Sequence, residues 1–260
     1  MCSRLTTVSK RFGFIGIAAA MTFLAPARSD AALITGSLLN ITGDGTVGAT
    51  FLNWSCNAPG DLTVCPAGSG DFGVAGSTLT FAQYNGTFGL VKNLNNSAQP
   101  LNTPFLLSNF ITFDLNSNEA IDLTFIPLGT DTPSTTCAGL THCTPMLVPL
   151  VTAANPQGLS SFNLDQNATG TAATFGVLGT IRDSSGSSAP ITGTYTAQFN
   201  GQSPSQVLGL FATAGTNGLN STYSAQFSFT TVPEPVSLSL VGIGLLGLGL
   251  VRRRIRRTIE

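Results

Sequence analysis

Apolar side chains recur at every second position in several stretches of the chain. Ile121, Leu123 and Phe125 form one such run. Ile191, Tyr195 and Phe199 form another, with Gly193 and Ala197 between them, and Tyr223, Ala225, Phe227 and Phe229 form a third. On a strand, period two sends one face into a core and the other to water, so these segments are predicted as half-buried strands. Further strands are predicted over Leu33–Thr42, Val47–Trp54, Ser77–Phe81, Thr87–Lys92, Phe110–Leu115, Ala173–Arg182 and Val207–Thr213. Asn85-Gly86, Asp183-Ser184-Ser185-Gly186 and Asn200-Gly201 punctuate them with residues that tolerate the left-handed backbone of tight turns. Ahead of the tail the pattern predicts no helix of three turns. Short strands in series imply an all-β fold, an antiparallel β-sandwich for which a jelly roll is one fitting topology. Residues 128–170 carry Pro133, Pro145, Pro149 and Pro156 without sustained periodicity and are predicted as a long ordered loop closing one end.

The ends follow a different pattern. Arg4, Lys10 and Arg11 precede an apolar run from Phe12 to Leu24, then the small residues around Ala27 and Ala31. Charge, short apolar run and small-residue site together predict a secretory signal peptide over residues 1–31, removed after Ala27 or Ala31 by signal peptidase. Thirteen apolar residues make about 20 Å of helix, short of a bilayer core of about 30 Å. At the far end Pro233, Glu234 and Pro235 stand before an uncharged run from Val236 to Val251, followed by Arg252, Arg253, Arg254, Arg256 and Arg257. That run is predicted as a transmembrane helix, and the arginines as the cytoplasmic, membrane-orienting end.

Proline-glutamate-proline, a glycine-rich apolar helix and a terminal arginine cluster, in this order, resemble the C-terminal sorting signal of PEP-CTERM proteins of Gram-negative bacteria. The resemblance covers residues 232–260 alone. It implies processing by an exosortase near the Pro-Glu-Pro motif, and a life at the cell surface or among extracellular polysaccharide. The implied organisation is a signal peptide (1–31), a body (32–231) and a sorting signal (232–260) held in the membrane before processing.

Charge sharpens the reading of the body. Only 9% of residues are charged, and between residues 32 and 232 the cations are Lys92 and Arg182, against nine acidic side chains. Phosphate neutralisation needs the opposite balance, so nucleic acid is excluded as a partner. After loss of Cys2 with the signal peptide, Cys56, Cys65, Cys137 and Cys143 remain. In an exported chain, proximity favours the bridges Cys56–Cys65 and Cys137–Cys143. Zinc bound by these cysteines with His142 is the alternative, but neither pair has the two-to-four-residue spacing of structural zinc sites.

Candidate chemistry is sparse, and no cofactor is expected beyond at most a structural calcium. His142 is the single histidine, and no partners mark it as catalytic. Asp114, Glu119 and Asp122 form the one close acidic group that could serve glycan hydrolysis. Asp114-Leu-Asn116-Ser-Asn118 and Asn163-Leu-Asp165-Gln-Asn167 place oxygens at alternate positions, as a calcium loop does, yet lack its glycine and its final carboxylate. Trp54 is the candidate ring for stacking on a sugar. Three functions are therefore expected in order: a non-catalytic surface or matrix protein, a carbohydrate-binding adhesin, and a secreted glycan hydrolase.

Overall fold

The computed structural model describes residues 36–57, 64–115, 119–182 and 188–229. The expected signal peptide lies outside them, as do Asn116 and Asn118, the turn at Asp183, and the sorting tail with Pro233, Glu234, Pro235 and its arginines. All described residues belong to one compact unit, Ala31–Glu260. Among them no helix is long and apolar enough to cross a membrane.

The strands are β1 (Leu38–Val47), β2 (Phe51–Trp54), β3 (Ser69–Val74), β4 (Phe88–Lys92), β5 (Leu94–Asn95), β6 (Leu107–Phe113), β7 (Ala120–Phe125), β8 (Pro133–Ser134), β9 (His142–Pro145), β10 (Asn163–Asn167), β11 (Gly170–Arg182), β12 (Ser188–Asn200) and β13 (Leu219–Phe229). The all-β expectation holds, but the sandwich does not. Eight strands pair in the cyclic order β1-β3-β4-β6-β7-β11-β12-β13, and β13 pairs back onto β1, closing an antiparallel barrel. Period-two patterning is the same in a sandwich and a barrel; what separates them is whether first and last strands meet. Here Leu38 faces Ser228 and Val47 faces Leu219 along ten paired positions. The longest hairpin, β11–β12, pairs thirteen positions from Gly170–Asn200 to Arg182–Ser188.

Rings fill the interior. Tyr195 stacks on Phe175 at 5.0 Å, and Trp54 lies 4.5 Å from Tyr223 and 5.0 Å from Tyr195. Small residues on the walls make the room: a Cβ at Gly43 would come within 2.7 Å of the Tyr223 hydroxyl, and one at Gly193 would run into the Phe227 ring. Two helical segments plug the ends. A 3-10 segment over Leu79–Tyr84, expected as strand Ser77–Phe81, buries Phe81 and Tyr84 against Phe229 and Phe113. The inward residues stand three apart, the period of a 3-10 turn.

The segment expected as strand Val207–Thr213 is instead an α-helix, α1 (Pro204–Ala214), which also overturns the expectation of no three-turn helix. Ser203 and Gln206 form a reciprocal capping box, Pro204 sits in the first turn, and Gly215 follows at positive φ. Val207, Leu208 and Phe211 face the barrel mouth, where Phe211 packs edge-on against Phe199. The expected loop 128–170 holds β8, β9 and β10, which extend from the α1 end of β11 as a small annex.

Candidate functional site

The residues singled out for chemistry fall into three places. The first is the barrel itself. Trp54 is only 5% exposed and its Nε1 donates to the Lys92 carbonyl at 2.8 Å, so it belongs to the core. A ring without an open face cannot stack on a sugar, which removes Trp54 as a ligand contact. Glu119 is buried and accepts a hydrogen bond from the Tyr84 hydroxyl. Asp122 takes the Arg182 guanidinium on both oxygens, at 2.8 and 3.0 Å, and the Asn109 N–H at 2.7 Å. Burial pushes the Asp122 carboxyl up, but the Arg182 and Asn109 hydrogen bonds and the charges of Arg182 and Lys92 outweigh it and hold it below its ordinary value. Glu119 and Asp122 are thus engaged in structure, while Asp114 is exposed on the neighbouring loop.

The second place is the annex, where topology unites residues far apart in sequence. β9 and β10 pair so that His142 lies directly opposite Asp165, and His142 Nδ1 is 2.7 Å from Asp165 Oδ1. Asp165 Oδ2 accepts from the Thr174 hydroxyl at 3.4 Å. Asp131 completes the group, with ligand-capable atoms of the three residues all within 4.8 Å of one another. Its backbone is held in place: Asp131 N donates to Thr144 Oγ1 at 2.9 Å, and Thr130 N donates to Asn163 Oδ1 at 3.0 Å. The Cys137–Cys143 disulfide anchors the same strand one residue from His142, with both cysteines buried.

The electrostatics match the crowding. Burial, then the neighbouring Asp165 charge and carboxyl, push Asp131 above its ordinary value, with His142 opposing. His142 is raised chiefly by its hydrogen bond to Asp165, against a small desolvation, with the Asp165 and Asp131 charges adding to the rise. The calcium expectation fails at Asn163–Asn167 because these residues form β10 rather than a wrapping loop. Asn163 Oδ1 serves backbone and Thr144 donors, and Asn167 Oδ1 caps the turn at Thr169. The Cys56–Cys65 and Cys137–Cys143 pairs are both disulfides, which excludes the cysteines as zinc ligands. Nothing in linear spacing joins Asp131 and Asp165 to His142: the β9–β10 register brings Asp165 there, and the bonds to Thr144 and Asn163 bring Asp131.

The third place is surface. On β12, β13 and β1 the outward positions are Thr192, Thr194, Thr196 and Gln198; Thr222, Ser224, Gln226 and Ser228; Asn40, Thr42, Asp44 and Thr46. Facing side chains bond across the strands, Thr192 to Ser228 at 2.9 Å and Gln226 to Asn40 at 3.0 Å. Asp44 is the lone charge among these positions. On these three strands a polar outward face backs an apolar inward one, the reverse of the polarity of a transmembrane barrel strand. Near the α1 end, a small cleft of about 40 Å³ has Phe51, Phe162 and Phe175 in its lining, with Asn95, Asn96 and Gln99 beside them.

Comparisons find no matching family model, no matching curated protein and no matching solved structure for this chain.

Proposed function

We propose that the chain is an exported protein of the cell surface or extracellular matrix of a Gram-negative bacterium, delivered through signal peptidase and an exosortase, with a structural or interaction role and no catalysis. The observation that carries this reading is the outer wall of β12, β13 and β1, an almost uncharged array of hydroxyls and amides on a barrel whose interior is packed with rings. Such a wall exchanges hydrogen bonds with hydrated neutral polymers while offering no field to polyanions. Two disulfides suit an oxidising compartment. The test is the intact and peptide-resolved mass of the unreduced protein recovered separately from envelope and medium of its host. A C-terminus near Pro235 is expected; a tail retained through Glu260 in both fractions overturns exosortase processing.

The cleft favours a second reading, a carbohydrate-binding adhesin. The half-buried rings of Phe51 and Phe162, beside the amides of Asn95, Asn96 and Gln99, offer one sugar unit at the mouth both an apolar surface and hydrogen-bond partners. Phe51→Ala should then weaken retention on the host's own polysaccharide; retention equal to the unsubstituted chain removes this reading.

A further inference from the structure

We propose that Asp131, His142 and Asp165 form a binding site for one divalent first-row transition ion, with Zn2+ as its probe. The set comprises one imidazole and two carboxylates, drawn from three separate segments yet within 4.8 Å of one another. Imidazole nitrogen selects zinc-like ions over calcium or magnesium, and three protein ligands leave the remaining coordination positions to water. His142 has 66% of its side chain exposed, so an ion there is reachable from solvent.

A second observation concerns one oxygen of the Asp131 carboxyl. Asp131 Oδ2 is closed from solvent and accepts no hydrogen bond. A buried carboxylate oxygen in that state is costly unless it meets a cation or a proton. Its polar neighbours make the cost larger, because the adjacent Asp165 carboxylate repels it. Among the described residues Lys92 bonds the Ser108 carbonyl at 2.7 Å and Arg182 is committed to Asp122, so the positive charge beside Asp131 is that of protonated His142, whose Nδ1 is already engaged with Asp165 at 2.7 Å. A divalent ion between the two carboxylates satisfies the stranded oxygen and cancels the repulsion together.

The surroundings hold the ligands as metal sites require. The β9–β10 register fixes His142 opposite Asp165, the Thr174 hydroxyl orients the Asp165 carboxylate, and two backbone N–H groups pinned on Thr144 and Asn163 set the Asp131 loop. Such outer partners are what keep ligating groups oriented. The other grouping of ligand-type residues, Cys56 with Cys65 and Asp71, is disqualified because its sulfurs are joined.

The chain's one histidine makes the test clean. The intact, disulfide-bonded protein, prepared without a histidine tag and stripped with chelator, is titrated with zinc chloride by calorimetry and by NMR of the imidazole C–H resonances. One ion per chain is expected, with the imidazole resonances shifting in step with the heat. His142→Ala, Asp165→Asn and Asp131→Asn should each weaken binding by at least about tenfold, the loss usual even for residues that merely orient a ligand, while Asp114→Asn leaves it unchanged. Heat without movement of the imidazole resonances, no saturable binding, or undiminished affinity in the three variants would each overturn the site. Where a variant fails to fold, as judged by circular dichroism, the resonance shift in the unsubstituted chain decides alone.

Discussion

The barrel and its annex are built by opposite means. Inside the barrel, Trp54, Tyr195, Tyr223 and Phe175 pack ring on ring, and even the Tyr195 and Tyr223 hydroxyls are enclosed without hydrogen-bond partners. Burial drives both phenols far above their ordinary range, so they stay neutral at any physiological pH. The annex has strands of two to five residues and holds itself with a disulfide and with side chain-to-backbone bonds, such as those of Asn155 to the N–H and carbonyl of Leu159. Where apolar burial is thin, covalent and polar ties take over, and the same thinness leaves His142 and two aspartates near water. Stability and reactive side chains are therefore segregated along the barrel axis.

The sharpest way to break the contrast is to empty the interior. Trp54→Ala removes a buried indole from a ring cluster and should cost about 3–5 kcal/mol, read as a drop in the urea midpoint of global unfolding. Replacing Cys137 and Cys143 together by serine should cost about 2 kcal/mol, as expected for a short closed loop. Hydrogen exchange should show that loss in β9 and β10, with protection of β12 and β13 retained; equal loss in both would merge the two regions into one cooperative unit.

Asp122 probes the barrel's outer ion pair. A carboxyl held low in the folded state adds stability above its unfolded value and loses it as pH falls through the folded one. Asp122→Asn should therefore be weaker than the unsubstituted chain by about 1–2 kcal/mol at neutral pH. The gap should close in urea titrations carried below about pH 4. The smallest effect is expected at the plug between the regions: Ser203→Ala removes the α1 capping box and should cost about 1 kcal/mol in thermal unfolding.

The strands with strict alternation were legible because their pattern is set by local physics: Ile191 to Phe199 and Tyr223 to Phe229 each put one face inward. Closure was not, since pairing of β1 with β13 joins residues about 170 to 190 positions apart and leaves no mark on either strand. The α1 helix did announce itself in Ser203-Pro204-Ser205-Gln206, a capping box that outweighs the strand-like apolar run behind it. Strand β3 was missed because Ser69, Gly70, Asp71 and Gly73 look like loop; Asp71 is buried there and accepts the Asn57 N–H at 3.0 Å. The disulfide pairs followed from proximity. The His142 group did not, because a cross-strand neighbour 23 residues away is a property of register.

The pairing of Leu38 with Ser228 sets the two ends of the described chain side by side at one rim, while the turn between β12 and β13 carries α1 at the other. A tether attached through the chain after Phe229 would hold the molecule at this rim, like a hand on a torch. Distance from that grip then grows along the barrel, and the far lens holds the annex, the cleft and the lone imidazole. A strand rises about 3.3 Å per residue and tilts by about 40° in a closed barrel, so the eleven residues of β13 act as a standoff of about 25 Å along the axis.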